Sequence, residues 1–341
     1  MNKKPLDNIE SGEFSKEDII ELLTLKDASE LYSAADRIRK QYVGDEVHIR
    51  EIIEISNFCK QHCLYCGIQA QNKNVVRYRM KPDEIIERVR WSLPLGYRSV
   101  VLQSGEDDAW DDETVCRMIR EIKAMDLSLT LSFGEKSRET FRKYREAGAD
   151  RYLLKHETSD EELYTYLDPG MTFANRIKCQ KDLKELGFQV GSGIMVGLPG
   201  QTIESIADDI MLFFSMDYDM IGISPFIPHE DTIIGSSQKG DPVLVRKTVA
   251  ITRILLKDIH LPVTTAYSTL SDFEGKLEML SSGANVIMPN ITPMEYRDKY
   301  VIYPDKDSKD IEPLEYKKKL EALLKSAGRT IGTTYGHRIK K

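Results

Sequence analysis

A chain of 341 residues, 41% hydrophobic and 30% charged, holds enough apolar material for a large core, which excludes a disordered polypeptide. Its formal net charge of −7 excludes a general nucleic-acid binder, which needs basic surface to displace counterions, and leaves room for local anion pockets. No run of about 18 apolar residues marks a membrane span, and the opening MNKKPLDNIESGEF carries lysines with no apolar stretch behind them, so no secretory signal is expected. The odd, low count of five cysteines fits a reducing cytoplasm, where clustered thiols bind metal more often than they pair.

The first 45 residues are expected to form two helices. Ser15 with Asp18 resembles a capping box ahead of Ile19, Ile20, Leu22 and Leu23. A second helix over about 27–42 ends in the turn-like VGDE, and the pair reads as a lid or buttress. From EVHIREIIEIS (46–56) onward one pattern recurs: an amphipathic helix ends at Gly or Asp, and a short β-rich run follows. The joints are LGYRSVVLQS (95–104), MDLSLTLSF (125–133), AGADRYLLK (147–155), LGFQVGSGIM (186–195), MDYDMIGIS (216–224), IHLPVTTA (259–266) and SGANVIMP (282–289). With the run at 47–55 these make eight strands, the number of a complete (β/α)8 TIM-type barrel. Their richness in Val, Ile, Leu and Tyr suits strands buried on both faces. An open doubly wound sheet fits less well, because no G-x-G-x-x-G turn follows the first strand.

Pro82 with Asp83 and Glu84, and Asp241 with Pro242, mark helix starts, while Gly96, Gly148, Gly187 and Gly283 sit where a helix C-cap needs positive φ. GLPGQT (197–202) lacks the Gly-Lys-Ser/Thr ending of a phosphate loop and reads as a strand-to-helix turn with Thr202 near the N-cap. The chain thus divides into an N-terminal helical extension (1–45), the barrel (46–304) and a polar tail (305–341) with one helix over 313–328. The tail's lysines are expected on a solvated helix face, followed by a frayed terminus.

The stretch SNFCKQHCLYCGIQ (56–69) places Cys59, Cys63 and Cys66 in the loop after the first strand, at the C-terminal face where barrels of this kind keep their active sites. Structural zinc wants four ligands, and His62 beside Cys63 makes a strained fourth, so a zinc-stabilised ligand-binding barrel is the weaker alternative. A 4Fe-4S cube on three thiolates keeps one iron open to a small molecule. Cys116 and Cys179 fall among apolar neighbours at helical spacing and read as core.

C-x3-C-x2-C with Tyr65 before the last cysteine resembles the signature of radical S-adenosylmethionine enzymes. YVGDEVHIREIIEISNFCKQHCLYCGI, VLQSGED, AGADRYLLKHET, MVGLPGQT, FIPHEDT and GANVIMPN, spread over 42–303, together resemble the HydE maturases of FeFe-hydrogenases, in the wider group of biotin synthase and methylornithine synthase. That resemblance implies one 4Fe-4S cluster on Cys59, Cys63 and Cys66, with S-adenosyl-L-methionine chelating the open iron. It implies cofactor contacts from Tyr65, Gln103, Ser104, Glu106, Glu157 and Arg176. A substrate cavity would be lined by Lys155, Met220, Thr264, Thr265, Tyr267, Met288, Tyr300 and Tyr303. It further implies a small cysteine-bearing iron–carbonyl–cyanide substrate on the way to the hydrogenase diiron site. The partners would be the other maturation proteins and an electron donor such as flavodoxin or ferredoxin, in the cytoplasm. Many HydE proteins carry extra C-terminal cysteines for an auxiliary cluster; none follows Cys179 here, so a single cluster is expected. Lys155 stands where relatives often have Arg, and Tyr267 is expected to add bulk and a hydroxyl beside the substrate. Both changes motivate a second possibility, a paralogue that directs the same radical at another small molecule, as in an amino-acid rearrangement.

Overall fold

The β-rich runs form a ring of parallel strands. In chain order the strands are β1 (Glu46–Ile49), β2 (Glu51–Ser56), β3 (Ser99–Ser104), β4 (Ser128–Ser132), β5 (Arg151–Leu153), β6 (Gln189–Val196), β7 (Met220–Pro225), β8 (Pro262–Val263), β9 (Val286–Ile287) and β10 (Thr330–Ile331). The structure, a computed structural model, describes residues 4–271, 273–306 and 312–340, so part of the expected tail lies outside the described residues. Only Arg50 separates β1 from β2, and the two together make the first barrel strand. Strands β2 to β7 pair in sequence order, and β1 pairs with β9, which pairs with β8. Two junctions close the ring. The Ile221 amide donates to the His260 carbonyl at 3.0 Å, joining β7 to the approach to β8. The Ile52 amide donates to the Pro289 carbonyl at 2.8 Å, joining β2 to the exit of β9. The fold is the expected (β/α)8 barrel.

Alternation along each strand sorts the side chains. Val100, Leu102, Leu129, Leu131, Tyr152, Leu154, Val190, Ile194, Ile221 and Ile223 turn toward the helices and build the main apolar core. The other face is polar at its N-terminal end. Arg50 reaches across to the Met220 Sδ on the far side of the ring at 2.8 Å, and Arg151 Nη1 donates to Ser99 and Ser128 at 3.1 and 2.6 Å. The helices that shield the core start where expected. Helix Pro82–Ser92 has proline at its first turn, Thr202 and Ser205 form a capping box at Ile203–Met216, and Asp241 caps Pro242–Leu255. Each side-chain cap contributes about 1 kcal/mol. Gly96 and Gly187 take φ of 77° and 82°, the left-handed turns predicted for those helix ends.

Among the described residues the N-terminal segment has three helices rather than two: Pro5–Ser11, Lys16–Thr24 and Ser29–Val43. The first is short, begins at a proline and stops at Gly12, and it buries only Ile9, so its periodicity was too brief to read. The three pack as a buttress on the side of the barrel, not as a lid over its mouth. Lys247 on Pro242–Leu255 donates to the Leu23 carbonyl at 3.0 Å, Lys16 pairs with Asp208 at 2.7 Å, and Phe14 meets Phe214 edge-on at 5.3 Å.

The described chain beyond helix Pro313–Ser326 is not frayed. β10 pairs with β1, and residues 335–338 then run beneath the barrel, where the Tyr335 and Gly336 carbonyls accept from Arg151 and Arg50. Two guanidiniums inside the ring need carbonyl partners there, and the tail provides them. Arg338 anchors the tail through Asp258 at 2.6 Å with both side chains nearly buried. Arg338→Ala leaves that carboxylate without its guanidinium partner in a buried place, at a cost of about 3–5 kcal/mol. The melting temperature is expected to fall by roughly 10 °C, measured by calorimetry; a shift within experimental error would show that the tail does not brace the barrel.

Candidate active site at the barrel mouth

The cysteine loop leaves β2 at Ser56 and returns at Pro82, across the C-terminal ends of the strands. Its backbone is tied to three neighbours. Lys60 N–H donates to the Glu106 carbonyl at 3.0 Å, Leu64 N–H to Leu167 at 2.8 Å and Gly67 N–H to Ile302 at 2.9 Å. Arg77 gathers the loop from within, its guanidinium donating to the carbonyls of Asn57, Ile68, Gln69 and Asn72 at 2.5–3.2 Å. Gly105 lets the loop lie against the turn after β3, since a Cβ there would stand 2.3 Å from the Phe58 carbonyl oxygen and 2.8 Å from Cys59 Cβ.

Cys59, Cys63 and Cys66 are free and half-buried. Burial pushes all three thiols above their ordinary range, Cys66 to about 12; Cys63 is raised further by both other thiols and Cys66 by Cys59. For Cys63 the next contribution after burial is the carboxylate of Asp168. Thiols so buried, two of them further disfavoured by a neighbouring cysteine, resist ionisation, and a cationic iron centre relieves that penalty by taking them as thiolates. Among the described residues no three His, Cys, Asp or Glu side chains converge on one metal-ion position. A cube does not require such convergence, because each thiolate binds a different iron. The donor set therefore fits an iron–sulfur cluster better than a single ion.

Around the trio, Tyr65 donates from its hydroxyl to Asp168 at 2.9 Å. Burial raises the Asp168 carboxyl, opposed by the hydrogen bond from Cys63 and by Arg176. Arg176 is buried, donating to Glu135 Oε1 at 2.7 Å and to the Lys155 carbonyl, while its Nη2 has Met171 Sδ at 3.8 Å. Lys155 stands 2.9 Å from Glu157 and donates to Ser224 at 3.2 Å. Glu106 accepts from Gln61 at 2.6 Å and from the Glu135 amide at 2.9 Å, in a cradle kept open by Gly134. Gln103 reaches the Tyr300 hydroxyl at 3.4 Å, and Ser104 turns to its own neighbour's carbonyl. The cysteine loop, the strand ends and helix Phe173–Glu185 thus gather Tyr65, Glu106, Lys155, Glu157 and Arg176 at the barrel mouth, with Gln103 and Tyr300 beside them.

Other expected residues fall elsewhere. Met220 begins β7 instead of ending it, so it lies at the opposite end of the barrel against Arg50, and Ser224 holds the mouth position on that strand. Tyr267 is buried outward, its hydroxyl 3.2 Å from Glu278. Helix Thr265–Leu270 starts immediately after the strand with Thr264 as its N-cap, and that turns Tyr267 toward the helical layer and away from the cavity. Thr265 and Met288 line a cavity of about 700 Å³ shared with Asn290, Arg297 and Tyr316, which none of the three cysteines borders. Tyr303 is half-buried in the loop after Tyr300. Asp168, Glu135 and Arg77 join the site although sequence reasoning did not single them out. Cys116 and Cys179 are buried in the apolar core as expected.

A barrel with a three-thiol loop at its C-terminal face defines a radical SAM enzyme, and residues 53–213 match the Radical SAM superfamily. The chain is 50% identical over 304 residues to the FeFe hydrogenase maturase subunit HydE of Thermotoga maritima, covering 88% of this chain and 87% of that one. It is 29% identical to 3-methylornithine synthase of Methanosarcina acetivorans, covering 88% and 85%. The crystal structure of methylornithine synthase superposes with a TM-score of 0.83 at 25% identity over 96% of both chains. That of the hydrogenase maturase HydG shares the fold at 0.81 and 18% identity, covering 98% of this chain and 77% of that one. The chain belongs to the HydE family of radical SAM enzymes. Membership carries S-adenosylmethionine and an iron–sulfur cluster as cofactors and removes the zinc-stabilised binding barrel from consideration. No helix among the described residues is long and apolar enough to cross a membrane.

Proposed function

We propose that the protein is a cytoplasmic maturase of FeFe-hydrogenase assembly, acting on a small cysteine-bearing iron–carbonyl–cyanide precursor of the diiron site. The observation that carries this is the 50% identity to HydE across 88% of the chain. Cys59, Cys63 and Cys66 hold one 4Fe-4S cluster. When bound, that cluster and S-adenosylmethionine supply one-electron cleavage of the sulfonium to methionine and a 5′-deoxyadenosyl radical.

The protein's own part is to grip, orient and keep water out. Arg176, fixed by Glu135, is the forked donor set to pair with the cofactor carboxylate. Glu157 takes the opposite charge, and Gln103, Ser104 and Glu106 border the methionine portion. Tyr65, braced by Asp168, fixes the loop between the second and third ligands. Lys155, Thr264 and Tyr300 line the substrate side. The partners are a flavodoxin- or ferredoxin-type electron donor and the other maturation proteins.

Deleting the gene in a hydrogenase-positive host is expected to abolish hydrogenase activity. A wild-type copy restores it and a Cys63→Ala copy does not. Undiminished hydrogenase in the deletion strain would sink the proposal and favour the second reading, a paralogue that rearranges another small molecule. That second reading draws support from Lys155 at the mouth and from the likeness to 3-methylornithine synthase.

A further inference from the structure

Lys155 and Glu157 flank a residue that points the other way. His156 is fully buried behind the strand, outside the barrel lumen, with Phe173, Phe213 and Tyr218 around its ring at centroid distances of 6.2, 5.6 and 6.4 Å. Its Nδ1 lies 2.9 Å from the Ser192 hydroxyl on β6, and its Nε2 faces Asp209 Oδ1 on helix Ile203–Met216 at 3.5 Å without making a hydrogen bond. Both partners are fully buried. Ser192 is held in turn by Gln180, which accepts from the Tyr218 hydroxyl, and Asp209 accepts from the Ser159 amide at 2.6 Å. The array spans both sides of the turn that carries Glu157.

That turn is strained. The His156 and Glu157 amides both donate to the Gly193 carbonyl, at 3.2 and 3.0 Å, so the chain bulges there. Glu157 has φ of +63°, and among the described residues the other non-glycines with positive φ are all aspartates. Aspartate tolerates the left-handed region by local hydrogen bonding, and glutamate does not, so the surroundings must hold Glu157 there.

We propose that His156 is a positioning residue, hydrogen-bonded to Ser192 and set against the Asp209 carboxylate, that holds the bulge and thereby aims the Glu157 carboxylate into the barrel mouth. The inference rests on Glu157 contacting S-adenosylmethionine. His156→Phe keeps the aromatic packing and removes both ring nitrogens, so it separates the polar contacts from the core. In anaerobically reconstituted protein, His156→Phe is expected to keep its iron content and to bind S-adenosylmethionine about tenfold more weakly. The change that the cofactor induces in the electron paramagnetic resonance signal of the reduced cluster shrinks at fixed ligand concentration. Asp209→Asn follows in the same direction, and His156→Gln, which keeps a polar partner for Ser192, recovers part of the loss. Phe213→Leu loosens the ring's packing without touching the polar contacts, and it lowers the melting temperature while leaving affinity unchanged.

Glu157→Gln weakens binding at least as much, and the double variant with His156→Phe shows no further loss, because both act on one contact. Wild-type affinity in folded His156→Phe, alongside weakened Glu157→Gln, overturns the positioning role alone. Wild-type affinity in Glu157→Gln overturns the cofactor contact itself and the positioning role with it.

Discussion

Cys63→Ala is expected to fold and to stay colourless after anaerobic reconstitution with iron and sulfide, with no detectable cleavage of S-adenosylmethionine. Two thiolates hold a cube poorly, and within the loop no other thiol stands by to replace the lost one. The fold survives because Cys63 is half-buried and lies outside the apolar clusters, so the substitution costs on the order of 1 kcal/mol or less. Cys116→Ala and Cys179→Ala give the opposite outcome. Both thiols are buried in the core, so the melting temperature falls while the brown colour remains. Colour in Cys63→Ala equal to wild type would refute the assignment of this thiol to the cluster.

Gly105→Ala is expected to lose at least half of the bound iron although it changes no ligand. The new methyl would stand 2.3 Å from the Phe58 carbonyl oxygen and 2.8 Å from Cys59 Cβ. Both obstacles belong to the cysteine loop itself, and a backbone carbonyl cannot swing aside as a long side chain does. The loop must move, and the Cys59 thiol moves with it. Overpacking of this kind costs about 1–3 kcal/mol, and the melting temperature falls by several degrees, about 2–4 °C per kcal/mol. Iron content and melting curves measured together are the check; full iron loading would mean that the loop tolerates the displacement.

Strand positions were legible because hydrophobic runs after helix-ending glycines leave a strong one-dimensional signal. The three cysteines were equally plain, since few arrangements need three thiols in eight positions. Direction within a strand was harder to read. Met220 and Ser224 belong to the same short run, and only the register of β7 against β6 shows that Ser224 reaches the mouth. Tyr267 was misplaced for a related reason: Thr264 caps a helix immediately, and one turn of helix carries the next residues to the outer layer.

Arg77 left no pattern to find, because its partners are carbonyls, which every residue has. Asp168, in YLDPG, looks like ordinary turn chemistry until Tyr65 and Cys63 are seen against it. The docking of the tail depends on Arg50 and Arg151 inside the ring, a demand that arises only when strands distant in sequence close into a barrel.

One cluster held by three thiols, with an iron left for the cofactor, underlies every step proposed above. Iron quantitation combined with electron paramagnetic resonance of the dithionite-reduced protein, with and without S-adenosylmethionine, tests this most directly. About four irons per chain and a single cluster signal that changes when the cofactor is added are the predicted result. About eight irons, or a signal that the cofactor leaves unmoved, would contradict it.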